Sequence, residues 1–422
     1  MANIPIIENH AKSRELFTKA TKIIPSGIYG HLGPAEGQFI PVSNWPLFAT
    51  KAKGSYIWDV DGNKYIDYMC AYGPNVLGYA DPDVDAAALK QIELGNCTTT
   101  PMALTVDCAD LLVDTVASAD WAFFAKNGND ATQGAMMAAR AHTHKKKIIF
   151  FKGYYHGVSP WQMKKDYPGV LEEDVCNNII IPWNDIPALE KTIEENKNEI
   201  AALIAQPYDH GNFYDNVLPE EGFWPKVREI CTKNNIVLIV DDVRAGFRLD
   251  LAGSDHYFGF EADMICFCKA LANGYNMSAI CGKEFLKSAM SSLSYTGSYW
   301  LSAVPFAACI ACIEKMKKLD TPTMFREKGL KLTDGLREAG ANNGFDLVVS
   351  GEPALFYLRI ANDDSMVLHQ EWVAEMVRRG IFLASHHNHF MNASLTDKDI
   401  KHTIDVADDA FKAVAKNHPE LF

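Results

Sequence analysis

The amino-acid sequence predicts an α/β fold whose core is a mostly parallel β-sheet. Between residues 120 and 290, short apolar runs alternate with amphipathic stretches, a pattern typical of buried strands separated by helices. The chain has 422 residues, more than the roughly 250 to 300 at which a single core stops growing. We therefore expect a large α/β domain with a smaller domain attached to it.

Six apolar runs have the length expected of strands in the large domain. They lie at residues 121–124, 147–151, 201–205, 236–240, 264–268 and 277–281. Ahead of them, the stretch SYIWDVDGNKYIDYM contains two alternating runs joined at Asp61-Gly62, which indicates a β-hairpin. After them, a helical pattern at 305–319 ends at the sequence Asp320, Thr321 and Pro322, a typical helix stop.

The remaining C-terminal sequence predicts a second α/β unit. It contains the strand-like runs DLVVS and ALFYLRI and helical patterns near 367–379 and 396–416. We place the large domain at residues 71–325 and the small domain at 326–422. Residues 1–70 are predicted to join the small domain, which would then contain both ends of the chain.

Composition excludes several classes of function. The excess of 53 acidic over 40 basic residues gives a net charge of −13, whereas nucleic acids and anionic membranes attract basic surfaces. The N-terminal sequence does not resemble a secretion signal, and no run of about 18 apolar residues occurs, so we expect a cytoplasmic protein. The one C-x-x-C pair, Cys309 and Cys312, lies in a predicted helix without a second pair, and we predict no metal site.

Two predicted strands deliver ionisable side chains to one edge of the sheet. Asp241 and Asp242 follow the apolar run IVLIV, and Lys269 follows MICFC. Lys269 lies 269 − 241 = 28 residues after Asp241, about one strand-helix-strand unit, so the two strands are predicted to be neighbours or near neighbours. Open α/β sheets bind ligands at the carboxyl ends of their strands.

Two loops supply further candidates. The stretch FFAKNGNDATQGAMMAAR predicts a strand, a turn at Gly128 and Asn129, and a helix, whose N-terminus offers backbone N–H groups to a phosphate or serves as an ordinary cap. In FFKGYYHGVSP, Tyr155 and His156 lie between two glycines after another strand. An aromatic side chain there either stacks on a flat ligand or packs its own loop.

Together these features match the requirements of pyridoxal 5'-phosphate. A strand-end lysine forms a Schiff base with the cofactor's aldehyde, and a strand-end aspartate keeps the pyridine nitrogen protonated. Backbone amides at a helix N-terminus hold the phosphate. No Walker loop or G-x-G-x-x-G motif is present, which argues against a nucleotide.

Several ordered motifs also resemble one family over nearly the whole chain. The stretch GSYIWDVDGNKYIDYM resembles that family's opening, NGNDATQGAMMAAR its phosphate loop, GYYHG its G-x-Y-H-G, IVDDVRAGFR its D-E-V-x-x-G-F-R, and CKALANGY its lysine loop. The family is the class III (subgroup II) aminotransferases of pyridoxal-phosphate fold type I, in particular the glutamate-1-semialdehyde aminomutase branch. The resemblance implies a homodimer with shared active sites.

Residue roles follow from the resemblance at the matching positions. Lys269 is implied to be the Schiff-base lysine and Asp241 the partner of the pyridine nitrogen. Val243 and Tyr155 are implied to contact the two faces of the ring. The resemblance further implies that Gly128 and Asn129 bind the phosphate. It also implies that His156 and Ser302 contact the cofactor.

The sequence departs from the family pattern in four places. Asn129-Asp130 replaces the usual Thr-Glu, Asp242 replaces a glutamate, and Gln206-Pro207 replaces Glu-Pro. The family's T-x-S-G-N-P, whose threonine reaches the phosphate of the neighbouring subunit, corresponds to WLSAVP, with Trp300 at the threonine position. Thr296, Ser298 and Ser302 are the candidates to replace that threonine.

Candidate substrate contacts are Arg244, His387 and Trp300. An arginine suits a carboxylate, although Arg244 could equally form an ion pair between loops, the interpretation we favour for Arg248. His387 occupies the place of an aminomutase glutamate, within HHNH at 386–389. These histidines predict a polar wall for the substrate.

The predicted reaction is transamination in two ping-pong half-reactions, in which an amino group passes from a donor to an oxo acceptor. The same residues would also serve an aminomutase or an amino-acid racemase, and nothing around the cofactor separates these isomerases from a transaminase. A cofactor-dependent transcription regulator is disfavoured because no basic DNA-binding segment is present.

Overall fold

The structure is a computed structural model and describes residues 4–25, 27–28 and 45–421. The chain forms two compact units. The first comprises Met1–Asp81, Gly211–Asn216 and Thr323–Phe422, and the second comprises Pro82–His210 and Val217–Pro322. We describe each unit by itself.

The described residues form fourteen strands and thirteen α-helices. The strands are β1 (Ala49–Lys53), β2 (Tyr56–Asp59), β3 (Lys64–Asp67), β4 (Trp121–Ala125), β5 (Lys147–Phe151), β6 (Asn178–Ile181), β7 (Ile200–Ala205), β8 (Val237–Asp241), β9 (Met264–Phe267), β10 (Ser278–Gly282), β11 (Leu347–Glu352), β12 (Leu355–Ile360), β13 (Ile381–Phe382) and β14 (His389–Phe390). The helices are α1 (Ala11–Ala20), α2 (Pro82–Leu94), α3 (Leu104–Thr115), α4 (Gly128–Thr143), α5 (Glu172–Val175), α6 (Ile186–Glu195), α7 (Phe223–Lys233), α8 (Ser254–Tyr257), α9 (Glu284–Ser291), α10 (Ala303–Leu319), α11 (Thr321–Asn342), α12 (Val367–Arg378) and α13 (Asp397–Asn417).

The second unit is built on a seven-stranded sheet with the order β4-β10-β9-β8-β7-β5-β6. Strands β6, β5, β7, β8 and β9 pair in parallel, and β10 runs antiparallel to both β9 and β4. All residues of β7 and β8 are buried, as expected for strands covered by helices on both faces. The predicted mostly parallel sheet is therefore confirmed, and β6 is a strand that the sequence analysis missed.

Helix α4 packs on this sheet through small side chains. Its buried positions include Ala131, Ala135, Ala138 and Ala139, which belong to the same core cluster as Ile204 of β7. Alanine lets a helix approach a sheet closely and has the highest helix propensity. The small residues of GAMMAAR thus place the start of α4 at the carboxyl edge of the strands.

The first unit contains two smaller sheets, with the orders β1-β2-β3-β13 and β11-β12-β14. The predicted hairpin is confirmed, because β2 and β3 pair antiparallel around Gly62, which has φ +90°. The Asp59 carboxylate stabilises this turn by accepting hydrogen bonds from the backbone N–H groups of Asp61 and Asn63. The predicted C-terminal helices correspond to α12 and α13.

Helix α10 confirms the predicted helix at 305–319 and contains Cys309 and Cys312, which are both buried. Their sulfur atoms are part of the helix packing, in line with the sequence interpretation of this pair. No helix in the described ranges combines the length and the apolar character needed to cross a membrane.

Candidate active site

Five strands of the seven-stranded sheet carry the predicted site residues to one edge. Strands β4, β5, β7, β8 and β9 run in the same direction, so their carboxyl ends meet there. The segments that follow them are Lys126–Asn129 after β4, Gly153–His156 after β5, Gln206–His210 after β7, and Lys269 after β9, while Asp241 ends β8. This is the edge at which open α/β sheets bind ligands.

Asp241 and His156 form a buried pair at this edge. The Nδ1 atom of His156 lies 2.6 Å from Oδ2 of Asp241, and the two side chains are 0% and 6% exposed. An ionised carboxylate only accepts hydrogen bonds, so the proton of this contact lies on Nδ1. The ring of Tyr154 stacks on His156 at 5.6 Å and fixes the orientation of the imidazole.

The neighbouring carboxylate, Asp242, has a different environment. It accepts hydrogen bonds from the backbone N–H of Ser254 at 2.9 Å and from the Ser254 hydroxyl at 2.6 Å. Burial raises the pKa of Asp242 to about 7, against the effect of these two hydrogen bonds. Successive residues of a strand point to opposite faces of the sheet, and only Asp241 reaches His156.

Lys269 lies two residues after the end of β9 and has a rare backbone conformation. Its φ is +29°, a region that residues with a Cβ atom seldom adopt and that is concentrated at functional sites. Burial, and then the positive charge of Arg244, lower the pKa of Lys269 to about 7, while the thiol of Cys268 and the carboxylate of Asp241 act in the opposite direction. Near neutral pH a substantial fraction of the Lys269 amine is therefore uncharged.

The N-terminus of α4 is the place at which the sequence analysis predicted a phosphate seat. The Asp130 carboxylate accepts the backbone N–H groups of Asn127 at 2.8 Å and Lys126 at 3.2 Å, which fixes the turn before the helix. A Cβ atom on Gly128 would lie 2.8 Å from Cγ1 of Val243, closer than carbon atoms pack. A side chain at position 128 would therefore force Val243 or the start of α4 to shift.

The side chain of Asn129 forms hydrogen bonds with a neighbouring loop of the protein. Its Oδ1 atom accepts the backbone N–H groups of Val158 at 2.8 Å and Ser159 at 3.0 Å. This ties the first turn of α4 to the loop that carries His156. Any contribution of Asn129 to a phosphate would then come from its backbone N–H, as the first turn of a helix carries N–H groups without intrahelical acceptors.

Two further cofactor candidates, Tyr155 and Ser302, differ in their exposure and contacts. Tyr155 is 49% exposed, whereas its neighbour Tyr154 is buried. Ser302 precedes α10, and its hydroxyl donates to the carbonyl of Tyr299 at 2.7 Å. Trp300, a substrate candidate, packs edge-on against Tyr295 with ring centroids 4.8 Å apart.

The substrate candidates lie in both units. Arg244 is buried in the second unit, and its carbonyl accepts a hydrogen bond from the fully buried Arg248. His387 lies in the first unit, where its ring packs edge-on against Tyr72 at 5.2 Å. Burial lowers the pKa of its neighbour His389 to about 3.

The structure adds His210, which the sequence analysis did not select. His210 lies at the end of the segment after β7 and is 2% exposed. Its pKa is held well below the usual value by burial and by the charges of Arg244 and Lys269. The sequence offers one signal for it, since the stretch QPYDH follows the apolar run IAALIA and so lies at the same strand edge as Asp241.

The residues at this edge fit pyridoxal phosphate. The cofactor needs an amine that is uncharged near neutral pH and a carboxylate that can face its pyridine nitrogen. It also needs backbone N–H groups that bind its phosphate. Lys269, the Asp241–His156 pair and the glycine-dependent start of α4 match these needs. Each stands at the carboxyl end of a strand in the same sheet.

Comparisons with known proteins agree with this site. The family model for aminotransferase class-III matches residues 40–410. The chain is 36% identical over 413 residues to the aminopentol aminotransferase of Sphingopyxis macrogoltabida, which covers 98% of this chain and 97% of the relative. It is 33% identical to the glutamate-1-semialdehyde 2,1-aminomutase of Desulforamulus reducens, with 97% of this chain and 99% of the relative covered.

A solved structure extends the likeness to the fold. The FumI protein of Sphingopyxis sp. MTA144, with pyridoxal phosphate, superposes with a TM-score of 0.93 at 36% identity, covering 97% of this chain and 99% of that one. The fold is pyridoxal-phosphate fold type I, as the sequence predicted. The chain belongs to the aminotransferase class-III family and is an aminotransferase that uses pyridoxal 5'-phosphate.

Proposed function

We propose that Lys269 is both the attachment point of the cofactor and the proton-transfer base of this aminotransferase. The observation that carries the proposal is the position of Lys269, which follows β9 at the sheet edge where the neighbouring strand β8 ends in Asp241. Burial there lowers the pKa of Lys269 to about 7. A base is most effective when its pKa lies near the working pH. An exposed lysine, with a pKa near 10.4, would be almost fully protonated at pH 7.

Other residues of the same edge would hold the cofactor. Asp241 would contact the pyridine nitrogen, supported by its hydrogen bond with His156. Backbone N–H groups of Gly128 and Asn129 would bind the phosphate. Val243 and Tyr155 would lie on the two faces of the ring. Thr296, Ser298 and Ser302 remain the candidates to replace the family threonine, and Ser302 is among the proposed cofactor-binding residues.

Pyridoxal phosphate, when bound, supplies an aldehyde that takes up the amino group and a ring that accepts electrons. The protein moves the proton. Nζ of Lys269, in its uncharged form, takes the proton from the carbon that carries the donor's amine. Nζ of Lys269 would be free for this role once the donor's amine has replaced it on the cofactor, and it would return the proton to the carbon of the cofactor's aldehyde. Water would then supply the oxygen with which the donor leaves as an oxo compound, and the oxo acceptor would later take up the amine by the reverse steps.

We propose Arg244, Trp300 and His387 as substrate contacts. Arg244 is supported by its burial beside Lys269, on which its charge acts. Trp300 and His387 remain predictions from the sequence. The name of the Sphingopyxis relative suggests aminopentol-type amino alcohols as donors to test first, beside amino acids, amino sugars and polyamines.

We also propose how the protein assembles, where it is located and what each domain does. We expect a homodimer with shared active sites in the cytoplasm. We expect the predicted large domain, 71–325, to bind the cofactor and 326–422 to complete the small domain together with residues 1–70. Sedimentation of the purified protein tests the dimer, since a monomer with full activity would contradict it.

The visible absorbance of the purified protein tests the function. We expect a band from the cofactor bound at Lys269 that disappears when the correct donor is added without acceptor, with release of an oxo product. A band that no donor discharges, together with isomerisation of one compound, would favour the mutase or racemase alternative. An unchanged band in Lys269→Ala would contradict the assignment of the lysine.

A further inference from the structure

A small cavity lies beside His156 in the second unit. Its lining includes His156, Trp183, Phe151 at the end of β5 and Ala205 at the end of β7. Its volume is about 10 Å³, close to the smallest volume that holds one buried water molecule. The cavity can therefore accept one water molecule and is too small for a substrate.

Two buried nitrogen atoms of the lining residues have no hydrogen-bond partner among the described residues. They are Nε2 of His156 and Nε1 of Trp183. The other ring nitrogen of His156, Nδ1, lies 2.6 Å from Asp241, so Nε2 is on the far side of the imidazole. Buried polar atoms in native proteins nearly always have a partner. Because His156 and Trp183 line the same cavity, a partner for both nitrogen atoms would bind there.

The two nitrogen atoms have complementary hydrogen-bonding properties. With its proton on Nδ1, the neutral imidazole of His156 has an Nε2 atom that only accepts a hydrogen bond, whereas the indole Nε1–H of Trp183 only donates. A water molecule can donate to the first and accept from the second. The amide of Gln206, which also lines the cavity, can supply a third contact, and buried water molecules typically make about three hydrogen bonds.

We propose that one water molecule in this cavity joins Trp183 to His156, and that Trp183 is thereby a positioning residue for Asp241. The water donates to Nε2 of His156 and accepts the Nε1–H of Trp183. A donor at Nε2 stabilises the tautomer with its proton on Nδ1, which is the tautomer that donates to Asp241. The inference rests on the proposed function, in which Asp241 is the partner of the pyridine nitrogen.

Aromatic packing holds the indole of Trp183 in place. Its ring lies edge-on to Phe151 with centroids 5.0 Å apart, and 5.1 Å from the ring of Phe223. These contacts fix the direction of Nε1–H. Trp183→Phe would keep an aromatic ring at this position and remove only the donor, so this variant isolates the hydrogen bond to the water.

NMR of the holoenzyme with ¹⁵N-labelled histidine tests the hydrogen bond directly. The His156 resonances are assigned by their absence from His156→Phe. We expect a protonated Nδ1 and a hydrogen-bonded, unprotonated Nε2 in the wild-type protein. Trp183→Phe should move the Nε2 resonance toward that of an imidazole without a hydrogen bond. It should also lower kcat about 2- to 10-fold with KM unchanged, the equivalent of one neutral hydrogen bond.

Trp121→Phe is the matched control. Trp121 is also buried, and its Nε1–H donates to the carbonyl of Lys283 at 2.9 Å. The variant therefore also removes one indole hydrogen bond, but at the first residue of β4, away from the carboxyl end of that strand. We expect it to lower the melting temperature and to leave the His156 resonances and kcat unchanged.

Three results would overturn the inference. One is a crystal structure of the wild-type holoenzyme without a water within hydrogen-bond distance of both nitrogen atoms, which decides the question even if Trp183→Phe does not fold. Another is a folded Trp183→Phe variant with the wild-type Nε2 resonance and kcat. The third is an equal change in Trp121→Phe, which would assign the effect to a general loss of stability. Failure of the proposed function is distinguishable, because the wild-type protein would then have no cofactor band at Lys269.

Discussion

The Nδ1 atom of His156 lies 2.6 Å from Oδ2 of Asp241, although the two residues are 85 positions apart in the chain. Both side chains are buried, and β7 lies between the strands that carry them. A buried carboxylate that loses its hydrogen-bond donor pays the full cost of desolvation. His156 therefore orients Asp241, the residue that we propose as the partner of the pyridine nitrogen.

This pair gives the first prediction. We expect His156→Phe to lower kcat/KM about 10- to 100-fold, the equivalent of one charge-assisted hydrogen bond. Asp241→Asn should cost more, since it removes the charge itself. The double variant should be no worse than Asp241→Asn alone, because His156 acts through Asp241.

A second histidine-aspartate pair provides the matched control. His256 and Asp250 form the same Nδ1–Oδ2 contact at 2.7 Å, with the histidine side chain 58% exposed. His256→Phe should leave kcat/KM unchanged. Independent, additive losses for His156→Phe and Asp241→Asn would contradict the proposed coupling.

The second prediction concerns the pH dependence of Lys269 reactivity. In the cofactor-free protein, only the uncharged amine reacts with acetic anhydride, so its acetylation should rise with pH and be half-maximal near pH 7. The buried Lys126, whose pKa burial lowers to about 8, is an internal comparison in the same mass-spectrometric experiment. Arg244→Met should move the Lys269 midpoint upward, because it removes a positive charge that disfavours the ammonium.

The lowered pKa of Lys269 also makes the free energy of unfolding depend on pH. Between about pH 7 and 10.4 the unfolded chain holds a proton on Lys269 that the folded cofactor-free protein does not. The unfolded state binds more protons in this window, so the contribution of Lys269 to the free energy of unfolding rises with pH there. A Lys269 midpoint near 10 would show that the amine is not desolvated.

The third prediction uses the close approach of Gly128 to Val243. Gly128→Ala places a Cβ atom 2.8 Å from Cγ1 and 3.1 Å from Cγ2 of Val243, and relieving such overpacking costs about 1–3 kcal/mol. The cofactor dissociation constant should increase about tenfold, with a lower melting temperature. In a Val243→Ala background, Gly128→Ala should weaken cofactor binding and lower the melting temperature much less than it does in the wild-type protein. If the single variant binds the cofactor normally, the start of α4 does not depend on this contact.

The fourth prediction concerns Asp242. Its folded-state pKa of about 7 lies above the usual value near 3.9, so the folded protein binds the extra proton between about pH 4 and 7. Its contribution to stability is therefore lost as the pH rises through this window. Asp242→Asn cannot ionise and should be stabilised relative to the wild-type protein by a few kcal/mol more at pH 8 than at pH 4. Urea unfolding at both pH values measures this difference, and a pH-independent difference would contradict the shift.

The sequence predicted the elements of this site because strands and their ends leave local signals. Apolar runs followed at once by Asp241 or Lys269, and a glycine before an alanine-rich helix, are readable from neighbouring residues alone. Periodicity predicted the parallel sheet and most of its strands. It missed β6, whose four residues NIII include the exposed Ile180, because so short a run resembles a loop.

The tertiary structure decided what adjacent residues could not. Asp241 and Asp242 are chemically identical in sequence, yet one lies against His156 and the other against Ser254. The difference arises from strand order and from the alternation of side chains across a sheet, which bring together residues far apart in the chain. The same is true of His210, since a single histidine after a strand carries no local signal of the charges around it. Sequence determines which chemistry each strand end carries, and packing determines which of these groups meet.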